Sequence, residues 1–115
     1  MDVQQLIKEQ VTGNPVVLYM KGTPQAPMCG FSATVVQILQ ANNLPLFFSV
    51  NVLDDPAIRD GVKKYADWPT IPQLYVDGEF IGGCDIVREM FQEGELKDYL
   101  SQKGVATADV PAETA

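Results

Sequence analysis

The chain has 115 residues, 46% of them hydrophobic and 20% charged, the length and composition of one small globular domain. Its 15 acidic and 8 basic residues give a formal charge of -7, against the basic surplus that a nucleic-acid module needs. Histidine is absent and only two cysteines occur, which excludes Ser-His-Asp and Cys-His catalysis, histidine-ligated zinc and an intrachain four-cysteine metal site.

Val3, Leu6, Ile7 and Val11 recur at helical spacing, and Gly13-Asn14-Pro15 stops that helix. Val16-Val17-Leu18-Tyr19-Met20 has the apolar, β-rich content of a buried strand. Residues 21–28 hold a glycine and two prolines and read as a loop. Phe31, Val35, Val36, Ile38 and Leu39 mark a second helix, ending near Asn42-Asn43, and residues 46–52 read as a second strand. Asp54-Asp55-Pro56 starts a third helix that carries Ile58, Val62 and Tyr65 and is weakened by Gly61. After Trp68-Pro69-Thr70-Ile71-Pro72, a third strand over residues 73–76 turns at Asp77-Gly78 into a returning strand, Glu79-Phe80-Ile81. Gly82-Gly83 breaks it, and Asp85 opens a fourth helix with Ile86, Val87, Met90 and Phe91. Gly94 stops that helix, and residues 96–100 read as a short fifth one.

The order α-β-α-β-α-β-β-α-α predicts an α/β fold: a mixed four-stranded sheet with helices on both faces. The domain is expected over residues 1–103, with 104–115 as a flexible tail of small and acidic residues. The longest apolar run, Val16 to Met20, is far too short to span a bilayer, and Met1 to Leu6 lack the basic and apolar regions of a secretory signal. A cytoplasmic setting without membrane or nucleic-acid partners is the expectation; an organelle-targeting segment ahead of this numbering stays open.

Chemistry rests on the thiols. Cys29 lies between a proline-bearing loop and an apolar helix, so it falls at or just before a helix N-terminus. Free N–H groups and the helix dipole there favour an anion, which lowers a thiol pKa. Lys21, at the other end of the loop, adds positive charge. Ser32 stands where a Cys-x-x-Cys motif has its resolving thiol: its hydroxyl can donate towards a thiolate, or it is a plain first-turn residue. Cys84 is open between a structural role and a regulatory disulfide with Cys29.

Lys21-Gly22-Thr23-Pro24 with Pro27-Met28-Cys29-Gly30-Phe31-Ser32, then Trp68-Pro69-Thr70-Ile71-Pro72-Gln73, then Gly82-Gly83-Cys84-Asp85, occur in that order. Together they resemble the monothiol, CGFS-type glutaredoxins over about residues 3–103. The resemblance implies a thioredoxin-like fold, a cis Pro72 and glutathione as ligand. It implies Lys21 and Arg59 at the glycine carboxylate, with Lys63 as an additional candidate. Ile71 would pair its backbone with the cysteinyl part, and Gly83-Cys84-Asp85 would open a helix that receives the γ-glutamyl carboxylate. Asp85 would meet the ammonium, cap the helix, or do both. Trp68 reads as packing that positions the Ile71-Pro72 turn.

A [2Fe–2S] cluster takes four thiolates, more than one chain offers. Two chains giving Cys29 each, with two glutathione thiols, make four, and this bridged homodimer is what the resemblance implies. Two chains giving Cys29 and Cys84 each also make four. The resemblance further implies transfer of the cluster to apo iron–sulfur proteins and pairing with BolA-like proteins. The enzyme alternative is a glutathione-dependent thiol–disulfide oxidoreductase that acts through Cys29, weakly at most beside carriage. A scaffold needing neither Cys29 nor glutathione is the third reading.

Overall fold

The computed structural model describes residues 2–42, 44 and 47–105. Helix α1, Val3–Gly13, is capped by Asp2, whose side chain accepts from the Gln5 N–H. It leads into β1, Val16–Met20, five residues that are all buried. Burial on both faces makes β1 the centre of the sheet. It pairs in parallel with β4, Phe48–Asn51, and antiparallel with β5, Gln73–Val76; β6, Glu79–Gly82, extends the sheet from β5. The order is β4-β1-β5-β6, the expected mixed four-stranded sheet.

The two-residue alternation of β1 divides the core in two. Val16, Leu18 and Met20 pack with Val35 and Leu39 of α2, Gly30–Ala41, with Val87 of α4, Cys84–Gln92, and with Leu96 and Leu100 of α5, Glu95–Gln102. Val17 and Tyr19 point the other way, against Ile7 and Val11 of α1 and Ile58 and Val62 of α3, Pro56–Ala66. Helices therefore cover both faces.

Several elements differ from expectation. The second strand is shorter than residues 46–52: within the described residues it runs from Phe48 to Asn51. The Asn51 side chain accepts from the Leu53 N–H and turns the chain into a 3-10 turn, Val52–Asp54. Residues 45 and 46 lie outside the described residues. The loop over 21–28 contains a small antiparallel hairpin, β2, Gly22–Thr23, with β3, Ala26–Pro27. Helix α4 begins at Cys84 with Gly83 at the cap and no capping side-chain bond; Asp85 lies inside its first turn, and its carboxylate pairs with Arg88 at 2.8 Å. Gly61 does more than weaken α3. It is buried against α1, and a Cβ there would run into the Val3 side chain and lie 3.0 Å from Ile7 Cδ1. Val105 is buried against the α2–α4–α5 core, with its N–H bonded to the Leu100 carbonyl; residues 106–115 of the expected tail lie outside the described residues. Among the described residues no helix is long and apolar enough to cross a membrane.

Candidate functional site

The loop that delivers Cys29 is fixed by its backbone. The Met28 N–H bonds the Lys21 carbonyl at 2.8 Å, the Lys21 N–H bonds Ser32 Oγ at 3.1 Å, and the Gly22 N–H bonds Asn51 Oδ1 at 3.0 Å. Gly22 has φ +95°, and a Cβ there would lie 2.6 Å from both the Ala26 carbonyl oxygen and the Met28 nitrogen. Only glycine fits that turn. The result ties Lys21 to the start of α2.

Cys29 occupies the N-cap position of α2 in extended backbone and is half-buried. No capping side-chain hydrogen bond closes this helix start. The Ser32 backbone N–H faces the sulfur and is the main influence holding the thiol below its ordinary value; the Phe31 N–H, Lys21 and the Ser32 hydroxyl add to it, against partial burial. Ser32 is fully buried in the first turn of α2. Its oxygen accepts from the Lys21 N–H at 3.1 Å, and its own proton remains able to donate.

Cys29 opens on a groove of about 550 Å³. One wall is the segment 68–72, another the start of α4 from Gly83 to Ile86, and Lys21, Phe31 and Lys63 complete it. The Ile71–Pro72 peptide is cis. Ile71, which lines the groove, makes no hydrogen bond through its backbone among the described residues. Gly83 lets the walls close up: a Cβ there would lie 3.2 Å from Trp68 Nε1 and 3.3 Å from the Pro72 carbonyl oxygen. Trp68 packs on Phe80 with ring centroids 5.5 Å apart.

Of the residues singled out in the sequence, the fold brings Cys29, Lys21, Ile71, Cys84 and Asp85 to this groove, with Lys63. Arg59 is exposed on α3, one turn before Lys63, and is not among the lining residues. Cys84 is buried, and burial pushes its thiol up; Asp85 and Cys29 push the same way, against Arg88. Asp85 is held by Arg88 at the surface.

Two features escape a reading of the sequence. Met28 and Phe31, on either side of Cys29 in sequence, are 70% and 60% exposed, and Phe31 lines the groove; their apolar character beside Cys29 was the available signal. Gln73 is completely buried behind the 68–72 wall, a polar residue opening an otherwise apolar strand. Among the described residues no group of three or more His, Cys, Asp or Glu lies together to hold a metal ion.

A family model described as Glutaredoxin matches residues 16–81, more than half of the chain. The chain belongs to the glutaredoxin family. With one groove thiol half-open to solvent and Ser32 in place of a second motif cysteine, it is a monothiol glutaredoxin. It is 46% identical over 114 residues to "Monothiol glutaredoxin-5, mitochondrial" of Saccharomyces cerevisiae, covering 97% of this chain and 74% of the relative. It is 53% identical over 96 residues to "Glutaredoxin 4" of Escherichia coli, 84% of this chain and 83% of that one. Among solved structures, reduced poplar apo GrxS14 superimposes with a TM-score of 0.77 at 48% identity, covering 90% of this glutaredoxin and 94% of that chain. A buckwheat glutaredoxin–glutathione complex shares the fold at a TM-score of 0.79 and 23% identity, over 91% and 93% of the two chains.

Proposed function

We propose that this glutaredoxin binds glutathione in the groove and uses Cys29 with the glutathione thiol to carry a [2Fe–2S] cluster, its cargo, between proteins. The observation that carries the reading is one half-exposed thiol, biased to thiolate, on a groove with no further ligand cluster among the described residues. A four-thiolate cluster then needs outside sulfur, supplied by glutathione and a second copy of the chain.

The groove suits the tripeptide. Lys21 and Lys63 offer cations for the glycine carboxylate, with Arg59 one turn beyond. The Ile71 backbone offers a strand-like partner to the cysteinyl residue, and the N–H groups opening α4 at Gly83-Cys84-Asp85 offer a seat for the γ-glutamyl carboxylate. The Asp85–Arg88 pair is exposed and worth roughly 1 kcal/mol or less, so Asp85 can exchange Arg88 for the ligand ammonium. A cluster held partly by a dissociable ligand suits delivery to apo iron–sulfur proteins, and BolA-like proteins are the proposed heterodimer partners. The cytoplasm is the compartment of this reading; the yeast relative is by its name a mitochondrial protein.

The test is anaerobic reconstitution with iron, sulfide and glutathione, followed by absorption spectroscopy and sizing. A [2Fe–2S] spectrum in a dimer is expected, lost in Cys29→Ser and lost when glutathione is withheld. A colourless monomer under all conditions would overturn the reading, and a cluster that survives without glutathione but not in Cys84→Ala would assign the remaining ligands to Cys84. The lowered Cys29 thiol also favours a second reading, deglutathionylation. The Cys29 thiolate attacks a protein–glutathione disulfide and releases the protein thiolate; free glutathione then attacks the Cys29–glutathione disulfide, yielding oxidised glutathione and Cys29 again. Rapid turnover by the purified apo-protein in a coupled glutathione assay would favour it over carriage.

A further inference from the structure

The groove wall formed by residues 68–72 carries neither helix nor strand. Its five residues all line the groove, so something must hold an irregular backbone in place. The hold comes from the next residue. Gln73 is 0% exposed at the start of β5. Its Nε2 donates to the Trp68 carbonyl at 3.1 Å and to the Thr70 carbonyl at 3.3 Å. Its Oε1 accepts from the Tyr75 hydroxyl at 3.0 Å. The amide orientation is fixed by its partners, because two carbonyls can only accept and the phenol is the available donor. Tyr75 is itself anchored edge-on to Tyr19, with centroids 5.7 Å apart, and against Phe80 at 5.4 Å. Phe80 in turn packs on Trp68. A buried side chain thus bridges an aromatic cluster in the core to the backbone of the ligand groove.

We propose that Gln73 is the positioning residue of this groove, setting the 68–72 wall, and with it the Ile71 backbone, at the spacing glutathione requires. The inference rests on the reading that the groove takes glutathione. Gln73 is not among the residues that line the groove; it acts through the carbonyls it ties down. Without its two N–H donors, the Trp68 and Thr70 carbonyls must seek water, and the wall moves outward to reach it. Loss of both bonds weakens glutathione binding about tenfold, the equivalent of roughly 1.4 kcal/mol.

Trp68 is the single tryptophan of the chain, so its emission reports the wall directly. Reduced glutathione is titrated calorimetrically into full-length wild type, Gln73→Met, Gln73→Glu and Tyr75→Phe, with emission spectra and thermal unfolding recorded for each. In folded Gln73→Met, a shifted Trp68 emission and an affinity about tenfold weaker are expected at a temperature well below its unfolding midpoint. Tyr75→Phe, which keeps the amide and the packing, gives a smaller change of the same sign. The Gln73→Glu deficit relative to wild type narrows as pH falls, because a protonated carboxyl regains a donor for the wall. Wild-type emission and affinity in folded Gln73→Met, or a lowered unfolding temperature with unchanged affinity, would overturn the assignment. Should Gln73→Met fail to fold, Tyr75→Phe decides by the same two readouts. If wild type itself binds no glutathione, the functional reading fails alone, and the Trp68 emission of the variants still tests whether Gln73 holds the wall.

Discussion

The Ser32 and Phe31 N–H groups and Lys21 face the Cys29 sulfur and favour its anion, while Cys84, in the same groove, is buried and disfavours its own. Two thiols of one sequence therefore acquire opposite character from position alone. The alkylation rate of Cys84→Ser, which reports Cys29, should rise with a midpoint below the ordinary thiol range. That of Cys29→Ser, which reports Cys84, should rise with a midpoint above it. Coincident midpoints in a pH series with iodoacetamide would contradict the assignment. The cations divide in the same way: Lys63 lines the groove and Arg59 does not. Calorimetry should accordingly find that Lys63→Ala weakens glutathione binding severalfold and Arg59→Ala much less; the reverse order would move the carboxylate seat outward along α3.

The α1–α3 contact depends on a residue with no side chain. Gly61→Ala gains about 1 kcal/mol of helix propensity but drives a methyl into Val3 and Ile7, an overpacking cost of roughly 1–3 kcal/mol. Urea unfolding should show net destabilisation. Gly13→Ala, with nothing within 4 Å of its Cβ, is the control and should be near neutral or stabilising. The β2–β3 hairpin presents a different case. Gly22→Ala strains a positive φ and pushes on Met28, the residue before Cys29. Its signature should be a changed Cys29 alkylation rate beyond any change in stability.

At the scale of the whole molecule, the proposed function asks a chain of charge -7 to attract a tripeptide that carries two carboxylates. Lys21 and Lys63 gather positive charge at the groove, and ionic strength should weaken glutathione binding because the attraction is partly exposed and screened. Ligand counting also operates at this scale. If each chain gives one Cys29 thiolate and each glutathione another, a pairing of wild type with Cys29→Ser leaves three sulfurs. Native mass spectrometry of mixed chains under reconstitution should find cluster only in wild-type pairs. A stable mixed holo-dimer would refute the count.

The continuous apolar run Val16–Met20, helical spacing around it and the turn at Asp77-Gly78 made the sheet and its two helical layers readable along the chain, because those signals are local. So were Cys29, its missing resolving partner and the absence of histidine, which together restrict the thiol chemistry. A side chain that takes a backbone group obscured one boundary: Asn51 accepts from the Leu53 N–H where β4 gives way to the 3-10 turn; at α4 the cap is Gly83, which offers no side-chain signal. Other assignments depend on contacts between distant segments. Gly61 reads as a weak helix residue until α1 lies across it, and that Lys63 lines the groove while Arg59 stands one turn away follows only from how α3 is docked. Gln73 looks like one polar residue in an apolar strand until its amide meets two carbonyls and a phenol. The sequence by itself determined the fold class and the thiol that stands at a helix start without a resolving partner, since periodicity and residue chemistry are written in the chain. Tertiary structure alone decided which charges, walls and buried donors surround that thiol, since those depend on distances between residues far apart in sequence.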